Sequence, residues 1–176
     1  MNTYRSGNGV PIDFADPFGL RPLTDDERKS LGDMCDKIDC DKAQVHTGSD
    51  DSTTNARRDL LLKHCGGCRA VTTGNDIYIR GDELDPATDG IRDMSLLAHE
   101  MTHVGQFQTW GRIRYVAQGL MTQAFDQLGA DQYDPPLPLT RKVNGYGMER
   151  LATIVERCFE GNAQYCAVSP YSFGGH

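Results

Sequence analysis

His99, Glu100 and His103 stand in the order His-Glu-x-x-His inside the apolar stretch Leu-Leu-Ala-His-Glu-Met-Thr-His-Val at residues 96–104. On a helix the two histidines lie one turn apart on a shared face, so two imidazoles can grip one metal ion. Glu100 projects beside them, where a carboxylate can take a proton from metal-bound water. The surroundings favour a helix. Asp93 offers an N-cap, and Leu97, Met101 and Val104 form an apolar stripe away from the histidines. The bland alternative is an amphipathic core helix with two incidental histidines. Only five histidines occur in 176 residues, and two of them fall at ligand spacing around a Glu. That favours zinc chemistry, and within it peptide-bond hydrolysis with Glu100 as the general base.

Catalytic zinc takes three protein ligands and leaves one position for water. The longer pattern that ends in a third histidine does not continue, because Gly105, Gln106 and Thr109 follow. His46 falls on an expected strand, His64 at a helix end among cysteines, and His176 at the last position. A carboxylate on a later helix packed beside the motif is the remaining source. Glu149 fits, since the small Ala152 one turn on lets two helices approach closely. Glu156 lies along the same edge. One of the two is expected to ligate and the other to hold a histidine N–H, with Glu149 favoured as the ligand. Tyr146 and Tyr133 are the expected donors to a tetrahedral oxyanion.

The elements that must position these groups are legible in outline. Residues 1–22, punctuated by Pro and Gly, read as an extended arm. A single domain is expected over 23–162 and a loosely held tail over 163–176. Thr24 to Glu27 has capping-box spacing and opens a helix whose stripe is Leu31, Met34 and Ile38. A short strand is expected around Val45 and a helix over 54–64. Two β-rich runs flank Gly74-Asn75-Asp76, which predicts a hairpin over 69–80. The free edge of its second strand, 76–80, is expected to border the cleft and take a substrate backbone. After Trp110-Gly111 the pattern breaks. Ile113, Val116, Ala117, Leu120, Ala124 and Leu128 then predict a core-packed helix. A long irregular loop over 131–145 precedes a last helix over 146–162, buried through Met148, Leu151, Ala152, Val155 and Phe159.

Composition narrows the function classes. Net charge is -7 and the pI about 5.1, and no basic stripe or aromatic platform appears, which argues against nucleic-acid binding. Mean hydropathy is -0.53, and no run approaches the ~18 apolar residues of a membrane span. Residues 1–20 lack an apolar h-region, so no ordinary secretory signal is expected. Six cysteines fall as Cys35/Cys40, Cys65/Cys68 and Cys158/Cys166. Local disulfides and an oxidising destination are the favoured reading. Free thiols, or a structural zinc site joining Cys35, Cys40, Cys65 and Cys68, are the alternatives.

Arg21-Pro-Leu, Val45-His-Thr, the run Thr-Thr-Gly-Asn-Asp-Ile-Tyr-Ile at 72–79 and Leu-Ala-His-Glu-Met-Thr-His-Val-Gly-Gln at 97–106 together carry a resemblance. They resemble a bacterial zinc metallopeptidase domain found in extracellular contractile injection system loci, polymorphic toxins and Vgr-related proteins. That likeness covers residues 21 to about 108. Tyr-Gly-Met-Glu-Arg-Leu-Ala-Thr-Ile-Val at 146–155 resembles the Vgr-related branch. The resemblance implies a zincin-type, gluzincin-like α+β fold, mainly helical, with a small sheet or hairpin ahead of the motif helix. It also implies His99, His103 and Glu149 as Zn2+ ligands and Glu100 as the base. The expected partners are a peptide or protein substrate and a secretion apparatus, with export through a specialised secretion system. A non-catalytic zinc-binding structural or cargo module of that apparatus is the rival reading.

Overall fold

The computed structural model describes residues 20–46, 52–65, 68–85, 87, 90–127, 135, 139 and 146–173. The strands are β1 (Leu20–Pro22), β2 (Gln44–His46), β3 (Ala70–Thr73) and β4 (Asp76–Ile79). The helices are α1 (Asp25–Ser30), α2 (Met34–Lys37), α3 (Ser52–His64), α4 (Met94–Gln127), α5 (Met148–Phe159) and α6 (Ala163–Cys166). The class is α+β, with one small mixed sheet.

The sheet order is β1-β2-β4-β3, with β2 and β4 parallel and the two outer pairings antiparallel. The expected hairpin is present, turning at Gly74 with φ 76°, where glycine alone carries no steric penalty. Its second strand is not an edge, however. β4 is flanked on both sides, and its Ile77, Tyr78 and Ile79 are fully buried, as the unbroken apolar run of a central strand should be. The free edge beside the motif helix belongs to β3. One face of the sheet carries Val45, Ala70, Ile77 and Ile79 and packs on Leu97, Ala98, Met101 and Val104 of α4 in a single core. On the other face His46 stacks on Tyr78 at 4.1 Å, and α3 packs over β3 and β4.

The expected first helix is split. Its capping box forms through Thr24 and Glu27, but Gly32 at φ 58° divides α1 from α2. Leu31, Met34 and Ile38 still all reach the core. Glu27 does more than close a cap. Its carboxylate accepts from Arg21 twice at 2.7 Å, from the Thr24 amide at 2.8 Å and from the Ile91 amide at 3.1 Å. It thereby ties β1, α1 and the loop before α4 together.

α4 is two helices joined at Gly111, whose φ 74° and ψ 166° lie in a region open essentially to glycine alone. Beyond this kink the expected core packing is overturned. Ile113 is 88% exposed, and Val116, Leu120 and Met121 are also exposed. The periodicity of an apolar stripe does not say what covers it, and the kink turns this one outward. Ala124 and Leu128 have side chains outside the described residues.

The expected tail is also held more firmly than its composition suggests. Cys158 and Cys166 sit at disulfide distance, Tyr165 and Val168 are buried against Ile154, and Phe173 meets Phe159 edge-on at 4.9 Å. Cys35/Cys40 and Cys65/Cys68 pair in the same way, leaving no free cysteine. All three pairs stand as the disulfide reading expects, and no four-cysteine group gathers among the described residues. No described helix is long and apolar enough to cross a membrane.

Glu27 contributes to the fold's acid sensitivity. Burial alone would raise its pKa, but the Arg21 guanidinium and the backbone amides of Thr24 and Ile91 hold it below the ordinary 4.5. A depressed carboxylate pKa contributes stability that is complete above pH 4.5 and is lost as pH falls through the folded value. Glu27→Ala, which takes the carboxylate from the part-buried Arg21, is expected to cost about 3 kcal/mol at neutral pH by denaturant titration. Between pH 5 and pH 2 wild type should lose more stability than Glu27→Gln, roughly following the titration of one carboxylate. Parallel acid-denaturation curves would contradict this.

Candidate metal centre

The N-terminus of α4 is fixed before any chemistry begins. Asp93 Oδ1 accepts from the Ser95 and Leu96 amides at 3.0 and 3.2 Å and from the Ser95 hydroxyl at 2.6 Å. Its Oδ2 is held at 2.7 Å by Arg69, the residue just before β3. The capped helix lays Leu97, Met101 and Val104 on the sheet. Helical period then aims His99 and His103 at α5.

α5 arrives closely because Ala152, fully buried, offers little bulk at the crossing. Glu149 Oε2 stands 3.5 Å from His99 Nε2 and 3.3 Å from His103 Nε2. The two rings meet edge-on with centroids 5.0 Å apart, and the three donor atoms lie within 4.8 Å of one another. A tetrahedral dication bound at about 2.0–2.1 Å sets its donors about 3.3–3.4 Å apart. The Glu149 distances therefore suit shared ligation better than ordinary hydrogen bonds, whose N–O separation is about 2.9 Å.

The rear nitrogens decide the tautomers. His99 Nδ1 lies 2.9 Å from Glu156 Oε2, and His103 Nδ1 lies 2.9 Å from Gln106 Oε1. The Gln106 amide group donates to the Met148 carbonyl at 3.0 Å, so its oxygen must be the atom facing His103. An amide oxygen only accepts, and Nδ1 must therefore carry the proton. Once neutral, each imidazole presents its Nε2 lone pair toward Glu149. Gln106 thus joins His103 on α4 to the first turn of α5. Glu149 stands on the Nε2 side of both rings and Glu156 behind His99.

Glu100 is 4% exposed and faces β3. Thr72 Oγ1 donates to its Oε2 at 2.6 Å, which leaves Oε1 as the oxygen without that bond. Three carboxylates thus surround two imidazoles, a donor set short of positive charge. Burial disfavours a charged His99, but hydrogen bonds that the ring donates to Glu149 and Glu156, and the charge of Glu100, outweigh it and push its pKa up to about 10. His103 is raised for the same reasons, chiefly by Glu149 acting against burial. Glu149 in turn lies far below the usual carboxylate range, because both histidines overcome the effect of its burial. The cluster favours positive charge, and its three donor atoms could hold a metal ion.

Of the expected oxyanion donors, Tyr133 lies outside the described residues. Tyr146 packs with Leu139 and Phe173 against the Ile154–Tyr165 cluster. The tyrosine brought to the site is Tyr115, just beyond the kink. Its hydroxyl donates to the Thr72 carbonyl at 3.0 Å. Its pKa is raised by burial and then by the charges of Glu100 and Glu149. No sequence signal pointed to it, since it sits on a segment that reads as continuous core helix. Gln106, three residues past His103 on the same helix, could have been found from spacing alone.

Residues 22–111 match the family model of the eCIS core domain, just over half of the 176-residue chain. The matched segment runs from the end of β1 to the kink and contains His99, Glu100 and His103. Glu149 and α5 lie beyond it. No curated protein and no solved structure matches the chain.

Gln106→Leu removes the acceptor of His103 Nδ1 and the donor to Met148 together, both in a buried setting. It is expected to cost about 2 kcal/mol in denaturant titration even without metal, because two buried polar groups lose their partners. A cost below about 0.5 kcal/mol would place these bonds among the ordinary solvent-exchangeable ones.

Proposed function

The chain belongs to the eCIS core domain family, and from that premise we propose that it is a zincin-type, zinc-dependent metallopeptidase. It would serve extracellular contractile injection systems as an effector or a processing enzyme. The observation that carries the reading is the approach of Glu149 Oε2 to both Nε2 atoms, with both Nδ1 atoms engaged behind. Two imidazoles and one carboxylate form a known ligand set of catalytic zinc. Family membership supports a secretion-system and extracellular context, and the three cysteine pairs are in keeping with it.

In this reading His99, His103 and Glu149 hold the ion. When bound, zinc supplies a Lewis acid that polarises a carbonyl and brings the pKa of a coordinated water to about 7. Glu100 takes the proton of the attacking water and passes it to the leaving amine. Thr72 engages Oε2, so the proton travels on Oε1. Glu156 and Gln106 hold the two imidazoles in the ligating orientation. The free edge of β3 offers backbone groups to an extended peptide.

A second reading, a zinc-binding structural or cargo module without turnover, draws on one observation. Glu100 and His103 are both buried, as they would be in a closed site. Glu100→Gln separates the two. Zinc content by elemental analysis should stay at about one per chain, while peptide hydrolysis falls by about 10²–10⁴. Retained hydrolysis in the zinc-loaded variant would refute the mechanism. Stoichiometric zinc with no turnover by wild type, across a proteome-derived peptide library, would favour the module.

A further inference from the structure

β1 and β3 are the two edges of the sheet; β3 is the one beside the motif helix, and hydrogen-bond phase tells which of its groups face outward. Arg80 donates its amide to the Arg69 carbonyl at 3.0 Å, which makes 69 and 80 a bonded pair. In an antiparallel ladder such pairs alternate. With Val71 opposite Tyr78 and Thr73 opposite Asp76, residues 71 and 73 turn their backbone groups toward β4. Ala70 and Thr72 turn theirs outward. A peptide added alongside β3 would have to bond there. Thr72 is also the residue whose hydroxyl holds Glu100, so its outward carbonyl adjoins the proposed base.

That carbonyl is already taken by the hydroxyl of Tyr115 at 3.0 Å. The contact is lightly supported. Phe107 meets the Tyr115 ring edge-on at 5.5 Å, while residues 111–114, 116 and 117 around it are exposed. The segment leaves the body at the Gly111 kink. Displacing Tyr115 breaks its hydrogen bond to Thr72 and uncovers part of its ring.

We propose, resting on the metallopeptidase reading, that Tyr115 is a displaceable cover over the substrate position. Its hydroxyl occupies the Thr72 carbonyl until a peptide backbone adds to β3 and takes its place. Once released, the phenol donates to the carbonyl oxygen under attack. This accounts for the buried Glu100 in a site meant to meet substrate. It also recruits an oxyanion donor only when a peptide is present. Burial and the nearby carboxylates keep the phenol protonated, as a donor must be.

The test compares the zinc-loaded full chain with Tyr115→Phe, using a non-cleavable tripeptidyl hydroxamate and steady-state hydrolysis. Removing the hydroxyl frees the edge and removes the donor, so the two readouts should move in opposite directions. Hydroxamate affinity should rise roughly 2–10-fold, the worth of one hydrogen bond no longer broken. At the same time kcat should fall by about 10²–10³. Phe107→Leu, which loosens the ring but keeps the hydroxyl, should raise affinity and largely preserve kcat. Tighter binding by Tyr115→Phe alone, with wild type nearly inert, would also support the cover. If Glu100→Gln abolishes turnover but Tyr115→Phe matches wild type in both readouts, the cover is wrong and the peptidase stands. If zinc-loaded wild type and Tyr115→Phe neither bind nor cleave, both are wrong.

Discussion

The carboxylate of Glu149 is withdrawn from water and meets two imidazole nitrogens at 3.3 and 3.5 Å. Taking a carboxylate out of water costs several kcal/mol unless charge and N–H groups replace its hydration. Glu27 shows the complete solution, with a guanidinium and two backbone amides around it. Glu149 has a conditional one. Its partners become cationic only by taking up protons or sharing a metal. Much else follows from keeping that arrangement in place. Asp93 fixes the start of α4, Ala152 lets α5 approach, and Gln106 and Glu156 turn the rings.

The site therefore spans two parts of the chain. The eCIS core segment supplies both histidines and Glu100, together with the sheet that backs them. The third donor comes from α5, after the kinked arm and past the end of the matched segment. α6, joined to α5 through Cys158 and Cys166, stiffens that helix from behind. The matched segment alone contains Glu100 and two imidazoles but not the carboxylate of Glu149.

What the sequence disclosed was local in origin. The α4 register, the Asp93 cap, the Thr24–Glu27 box and the Gly74 turn all depend on neighbours within a few residues. The pairing of Glu149 and Glu156 with the histidines was also within reach, because two amphipathic helices with a small residue at their crossing have few ways to pack. Strand order was not. Nothing between residues 69 and 80 indicates that β2 lies beside β4, which makes β3 the edge. The stripe after Gly111 was legible as periodic but not as exposed, since period fixes a face and not its neighbour. Tyr115 escaped notice for the same reason. Composition is a poor guide to the tail, because the Cys158–Cys166 pair, the buried Tyr165 and the partly buried Phe173 hold what polarity suggests is loose.

The cysteine pairs span separations of only 5, 3 and 8 residues. Short loops of this kind remove little entropy from the unfolded chain, about 2 kcal/mol each in the loop-closure account, so packing carries the fold. Their topology has another consequence. No cross-link joins distant parts of the sequence, so the fully oxidised polypeptide remains, covalently, a thread with three small knuckles. It can be drawn out to nearly full contour length and folded again without any sulfur changing partners.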